Sequence, residues 1–252
     1  MLEKVRIVLV ETTHPGNVGA AARAMKNMGL TRLYLVKPRQ YPSADATARA
    51  AGADDVLASA VLCDSLDEAL TECGLIFGAS ARARKIPWPQ LDPRQAAIQA
   101  LGAAAMDEVA FVFGREHAGL TNQELDRCNY LVTIPTHPEF TSLNVAAAVQ
   151  VIAYELRMAG QDASQASATA APLASADERE RFYQHLERVL MDLEFLDPNN
   201  PKHLMRRLRR LFNRAEPDQN EINILRGILT AVEHHRMNGT AKQENEIRQD
   251  KR

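Results

Sequence analysis

Residues 109–124 read Val109-Ala110-Phe111-Val112-Phe113-Gly114-Arg115-Glu116-His117-Ala118-Gly119-Leu120-Thr121-Asn122-Gln123-Glu124. Five consecutive apolar residues suit a strand buried on both faces, as in a parallel sheet. The run stops at Gly114. Thr121 followed three residues later by Glu124 fits a capping box, in which side chain and backbone bond reciprocally to open a helix. Strand, short polar loop and helix, in that order, form the repeating unit of an α/β domain. The loop also falls at the strand's carboxyl end, where open α/β sheets place ligands.

The same pattern extends to both sides. Residues 5–10, 33–36, 75–79 and 131–134 are further short runs rich in Val, Ile and Leu, bounded by Gly, Pro or polar residues. Between them lie helix signals. Ser65 and Glu68 form a second capping box, and Asn17 can cap a helix that stops at Gly29. Residues 142–159 read as one alanine-rich helix opened by Ser142. Alternation of this kind predicts a three-layer α/β domain over residues 1–160, with a mostly parallel sheet.

Composition changes at residues 161–176, where Ala, Ser and Thr surround Pro172 without an apolar stripe. That segment reads as a flexible linker. Beyond it, residues 177–252 read as a small helical domain. Phe182, Leu186, Val189, Leu190 and Leu193 make one stripe, behind a capping box at Ser175 and Glu178. Leu204, Leu208, Leu211 and Phe212 make a second, and Ile222, Leu225, Ile228, Leu229 and Val232 a third. From Asn238 the chain is polar and reads as a frayed tail.

The 252 residues carry 30 basic and 32 acidic side chains, a formal charge of -2, with 46% hydrophobic residues. No window approaches the roughly 18 apolar residues of a membrane helix, and the first residues lack a signal peptide's apolar region. Three cysteines, odd in number and without a C-x-x-C, fit a reduced, cytoplasmic protein. A near-neutral total argues against a coat of positive charge, but its distribution is uneven. Lys202, Arg206, Arg207, Arg209, Arg210 and Arg214 place six cations within thirteen residues without one carboxylate. On a helix, 206, 209, 210 and 214 share a side opposite the Leu204/Leu208/Leu211 stripe. Such a face suits successive phosphates, the ordinary alternative being a solvated helix surface.

Several common chemistries have no motif. There is no Walker loop, no G-x-G-x-x-G, no H-E-x-x-H or Cys/His metal spacing, and no G-x-S-x-G; no metal is expected. Three other segments stand out. Asn17-Val18-Gly19-Ala20-Ala21-Ala22-Arg23 follows the first strand; Phe113-Gly114-Arg115-Glu116 ends a buried strand; Ile134-Pro135 leads to Thr141-Ser142-Leu143-Asn144-Val145-Ala146-Ala147-Ala148. Each alone reads as a cap, a turn or a tightly packed helix.

Taken in order, N-x-G-x-x-x-R, F-G-R-E-x-x-G-L and S-L-N-V-x-x-A resemble the three motifs of the SPOUT methyltransferases. The nearest likeness is to the TrmH/TrmJ branch, which methylates ribose 2′-oxygens of RNA. Val10-Glu11-Thr12, Gly78-Ala79-Ser80-Ala81-Arg82 and the Arg-rich C-terminal helix resemble its TrmJ family, which acts on cytidine or uridine at position 32 of the tRNA anticodon loop. The resemblance implies a SPOUT-type α/β fold with a C-terminal trefoil knot, plus the small helical domain. Pattern reasoning would reject a knot, because connections almost never thread. It implies S-adenosylmethionine held by Gly78, Ala79, Ser80, Gly114, Glu116, Ile134, Ser142, Leu143 and Asn144. It gives Arg23, Asn17, Ser142 and Asn144 catalytic roles. Arg23 is expected to stabilise charge developing on the ribose oxygen rather than to act as a base, since arginine's ordinary pKa lies above about 12. Arg82, Arg84, Lys85, Arg115, Arg206, Arg207, Arg209, Arg210 and Arg214 are expected to contact tRNA, and the chain to form a homodimer through the α/β domain. Three alternatives remain at this point: the same reaction on another RNA, such as ribosomal RNA; an RNA-binding protein that keeps the pocket without turnover; or a nucleotide-binding scaffold with a structural role.

Overall fold

Every residue of the first strand, β1 (Val5–Val10), is buried. Val5, Ile7 and Leu9 enter one core and Val8 and Val10 another, as the two-residue period of a strand requires. A strand with apolar neighbours on both faces must lie inside a sheet covered by helices on both sides, and it does. The computed structural model describes residues 1–80, 88–162, 172–199 and 201–249. In chain order the α/β part continues with α1 (Pro15–Met28), β2 (Arg32–Val36), α2 (Ala44–Ala50), α3 (Asp54–Ala58), β3 (Val61–Cys63), α4 (Leu66–Leu70), β4 (Cys73–Ala79) and β5 (Gln90–Leu91). Then come α5 (Pro93–Ala103), β6 (Glu108–Phe113), α6 (Asn122–Leu125), β7 (Tyr130–Val132) and α7 (Val145–Asp162). The helices α8 (Ala176–Asp192), α9 (Leu204–Ala215) and α10 (Gln219–Gln249) follow.

The seven strands form one sheet in the order β3-β2-β1-β6-β4-β7-β5. Every pairing is parallel. One face carries α1, α2, α3, α5 and α7 over a core that includes Ile7, Leu33, Phe77 and Phe111. Phe77 stacks on Phe111 with ring centroids 4.7 Å apart. The other face carries the short α4 and α6 over Val8, Ile76 and Val112. Burying a side chain of this size contributes about 1.5–3 kcal/mol. Close packing sets the position of α1: a Cβ on Gly19 would lie 2.0 Å from the Ala46 carbonyl oxygen of α2.

Local details correct the sequence reading. Asn17 does not cap α1; Pro15 takes the first helical position, where its missing N–H costs nothing, so His14 is the cap. Gly29 does end the helix, in the left-handed conformation. Ser142 does not cap α7 either. The cap is Asn144, whose Oδ1 accepts from Ala146 N at 2.9 Å, and the helix starts at Val145. The Thr121/Glu124 and Ser175/Glu178 capping boxes are both formed. At Ser65 only half forms, because the Glu68 carboxylate accepts from Asp64 N instead.

Within residues 161–176, Gln161 and Asp162 end α7, Leu173 bridges to Asp218, and Ala174 is fully buried. Residues 163–171 lie outside the described ones. The tail expected from Asn238 is helical to Gln249, in keeping with its run of Lys, Gln, Glu and Arg. The helical region has its own small core of Phe182, Tyr183, Val189, Ile222 and Leu229, with Phe212 edge-on to Phe182 at 4.9 Å.

Candidate active site

Parallel strands end together, so the loops after β4, β6 and β7 meet along one edge. They enclose a cavity of about 280 Å³. Ala79 and Ser80 line it from the first loop, Gly114 to Gly119 from the second, and Ile134, Thr141, Ser142 and Leu143 from the third. Phe113, Val132, Val145 and Ala148 supply apolar walls. Seven of the expected cofactor residues, Ala79, Ser80, Gly114, Glu116, Ile134, Ser142 and Leu143, therefore meet in one place. Gly78 and Asn144 do not line the cavity. Gly78 sits inside β4, where a Cβ would lie 2.8 Å from Cys128 Sγ.

The second loop is a tight return. Arg115 and Gly119 form an antiparallel bridge, and Gly119 has φ +66°. Gly114 faces this return so closely that a Cβ would lie 2.2 Å from the Gly119 carbonyl carbon. Across the cavity, Ser80 N donates to the Val132 carbonyl at 3.0 Å and Thr133 Oγ1 to the Ser80 carbonyl at 3.1 Å. These bonds tie the ends of β4 and β7 together. The lining is mostly backbone, small side chains and apolar surface, which fits an uncharged ring read through amides and carbonyls.

Glu116, at the edge of this lining, braces α1. Its carboxylate accepts from Thr13 N, Thr13 Oγ1 (2.9 Å), His14 N (3.2 Å) and Asn17 Nδ2 (2.9 Å). A negative charge here also suits the positive end of the helix dipole. Burial alone would raise its pKa. The bonds from Asn17, its own amide and Thr13 outweigh burial and hold the carboxyl at about 2. Asn17 in turn accepts from Asn144 Nδ2 at 2.9 Å. Glu116, Asn17 and Asn144 thus join the pocket wall, the start of α1 and the start of α7.

Arg115, expected on RNA, is engaged within the protein. Its guanidinium donates to Glu11 at 2.9 Å and to both Glu124 oxygens at 3.0 and 3.1 Å. Bonds to Glu11 and then Glu124 raise its pKa above the usual arginine range. Arg115 holds the pocket loop between β1 and α6.

Arg23 lies elsewhere. It is exposed on α1, six residues and about 9 Å along the axis from Asn17. It lines no part of the cavity, and makes no side-chain hydrogen bond or ion pair to a described residue. Arg82, Arg84 and Lys85 lie outside the described residues.

The charged face of α9 is the largest correction. Arg206 and Arg209 do not face solvent. Arg206 pairs with Asp126 at 2.6 Å and lies over the Trp88 ring; Arg209 pairs with Glu180 at 2.6 Å and lies over Tyr183. Asn213 is buried beside them, bonded to Tyr183 Oη at 2.6 Å and to the Cys128 carbonyl at 3.2 Å. Arg210 is half-buried, whereas Lys202, Arg207 and Arg214 are exposed. Leu211, read as a core residue, is 47% exposed. Its helix packs a mixed side inward: Arg206, Arg209 and Asn213 meet Asp126, Glu180 and Asn129, while Phe212 packs on Phe182.

Sequence reading missed Thr13 as a partner of Glu116 and Glu124 as a partner of Arg115. Glu124 was legible only as half of a capping box. The contacts of Glu116 and Arg115 with residues 11–17 span about a hundred residues and leave no local signal.

Known proteins resemble the chain over both of its parts. Residues 4–154 match the model of the SpoU rRNA Methylase family, and residues 177–246 that of the tRNA methyltransferase TrmJ, C-terminal domain. The chain is 54% identical over 244 residues to tRNA (cytidine/uridine/adenosine-2'-O-)-methyltransferase TrmJ of Pseudomonas aeruginosa, covering 92% of this chain and 95% of that one. It is 51% identical to tRNA (cytidine/uridine-2'-O-)-methyltransferase TrmJ of Escherichia coli K12, covering 96% and 100%. The crystal structure of TrmJ from Z. mobilis superposes with a TM-score of 0.79 at 34% identity, covering 90% of this chain and 98% of the other. By both its halves, the chain belongs to the SpoU methylase family, within its TrmJ branch.

Proposed function

We propose that this protein transfers a methyl group from S-adenosylmethionine to the ribose 2′-hydroxyl of cytidine or uridine at position 32 of the tRNA anticodon loop. The observation that carries this reading is the meeting of the second and third motif segments at one cavity, with Glu116 and Asn144 bonded to Asn17 in the first turn of the helix that bears Arg23. When bound, the cofactor supplies an electrophilic methyl on a sulfonium. The chain's own task is alignment. Backbone and small side chains of residues 79–80, 114–119 and 134–143 fit the cofactor. Ser142, beside the Asn144 cap, stands at its rim. Arg23 orients the ribose and stabilises negative charge as it develops on oxygen.

The active assembly is a homodimer. Arg23 is exposed and apart from the cavity of its own protomer, which supports a site completed by a second subunit. The α7 surface supports the same reading: Tyr154 and Met158, 48% and 39% exposed, continue a line from Ala147 and Val151. The knotted path and work in the cytoplasm complete the proposal. No helix among the described residues is long and apolar enough to cross a membrane.

Incubation with labelled cofactor and unmodified tRNA, followed by mapping of ribose methylation, tests this directly. Methylation confined to position 32 is expected. Methylation of another RNA, or cofactor binding without transfer, would replace it. Mixing an Arg23→Ala protein with a Gly114→Ala protein tests the shared site: hybrid dimers recover part of the activity that each variant lacks.

A further inference from the structure

Two cations beside the cavity belong to none of the motifs. Lys37 and Arg39 follow β2, one strand beyond β1 from the pocket loop after β6. Adjacent strands lie about 4.8 Å apart, so the loop stands roughly 10 Å from the carboxyl end of β6. Both residues are exposed, and neither side chain hydrogen-bonds or ion-pairs to a described residue. That contrasts with Arg6, Arg32, Arg115, Arg127, Arg206 and Arg209, each held by a carboxylate.

The backbone holds this loop against the site. Arg39 N donates to the Thr12 carbonyl at 3.1 Å and Glu11 N to the Val36 carbonyl at 2.8 Å. Glu11 and Lys37 follow paired strand ends, and both take left-handed conformations, φ 47° and 45°. Side chains rarely accept that geometry, and it gathers at functional edges. Glu11 is the nearby carboxylate, but it is already committed to Arg115 at 2.7 Å. What remains is a pair of cations on the same edge as the cavity.

We propose that Lys37 and Arg39 form a phosphate-binding site for the RNA backbone next to the nucleotide presented to the pocket. This rests on the tRNA reading above and adds to it a second point of grip, apart from α9. The occupant is a phosphodiester chain: two flexible cations spaced along an edge match a strand running over that edge.

The test is binding of an unmodified tRNA transcript by the full-length protein across a salt series, comparing it with a Lys37→Ala/Arg39→Ala variant. Loss of two single-strand phosphate contacts should make the log–log salt slope shallower by about 1.4. Affinity at low salt should fall roughly tenfold or more, with the effect on turnover confined to KM for tRNA. A Lys37→Arg/Arg39→Lys variant should keep both affinity and slope. Unchanged affinity and slope in the alanine variant would overturn the proposal, as would a loss of cofactor affinity, which would assign the loop to the pocket itself. If the unaltered protein shows no salt-dependent tRNA binding, the tRNA reading fails, and that result is distinct from either outcome.

Discussion

Glu116 commits its carboxylate to four donors from residues 13–17, and this makes it sensitive to a change of one atom. Glu116→Gln keeps the shape but points an amide at groups that also donate. We expect a loss of about 1–3 kcal/mol in stability and a steep loss of methyl transfer. The pH dependence follows from a carboxyl held at about 2 against an ordinary 4.5. A depressed carboxylate pKa contributes stability that is fully present above about 4.5 and lost as pH falls toward 2. The stability gap between wild type and Glu116→Gln, followed by urea unfolding, should therefore close across that window. Gly114 and Gly119 are sensitive for different reasons. Gly114→Ala meets backbone atoms at 2.2–2.4 Å and should abolish cofactor binding in calorimetry. Gly119→Ala has open space and only an unfavourable φ to bear, a cost of about 1–2 kcal/mol.

Among the elements, α7 depends on its cap. Asn144→Ala removes the bond to Ala146 N and should cost about 1 kcal/mol, along with the link to Asn17. Asn144→Asp keeps the acceptor and suits the helix dipole, yet cannot donate to Asn17. It should melt above the alanine variant while losing as much activity. For α9 the expected contrast lies between neighbours. Arg206→Ala strands Asp126 and should cost about 1–3 kcal/mol in thermal unfolding. Arg207→Ala should change stability by less than about 0.5 kcal/mol and weaken tRNA binding.

These elements also mark how far the sequence could be read. The long strands were legible because burial on both faces leaves only apolar residues to choose. β3 and β5 were not, being three and two residues long, with Val61 and Leu62 exposed. The motif loops were legible as a site through their order; the Glu116 partners and Glu11 beside Arg115 were not, because they lie about a hundred residues away, and Glu124, nine residues from Arg115, was masked by its part in a capping box. The α9 orientation was misread because an amphipathic pattern assumes an apolar neighbour, and Asn129, Asp126 and Glu180 are polar.

At the scale of the whole molecule, the helical region is locked to the sheet through a polar seam. Arg179 is 3% exposed, with Nη1 donating to the Gly74 carbonyl at 2.6 Å and to the Ala174 carbonyl at 2.5 Å. Asn129 Nδ2 donates to the Asn213 carbonyl at 3.1 Å. Arg179→Met would leave two buried carbonyls without donors, at a cost of about 3 kcal/mol. Scanning calorimetry should then show the helical region melting ahead of the sheet.

The cavity walls come from residues 79–80, 113–119 and 132–148, braced by Asn17, which waits for a partner 127 residues further along. In time rather than space, this means the site is completed only after every strand of the sheet has been made. A growing polypeptide would pass through β1, α1 and most of the sheet with no pocket at all, and closing such distant parallel pairings is slow. A partly made chain therefore has nothing with which to capture cofactor. Cofactor, binding only the finished form, would then favour completed molecules over unfinished ones.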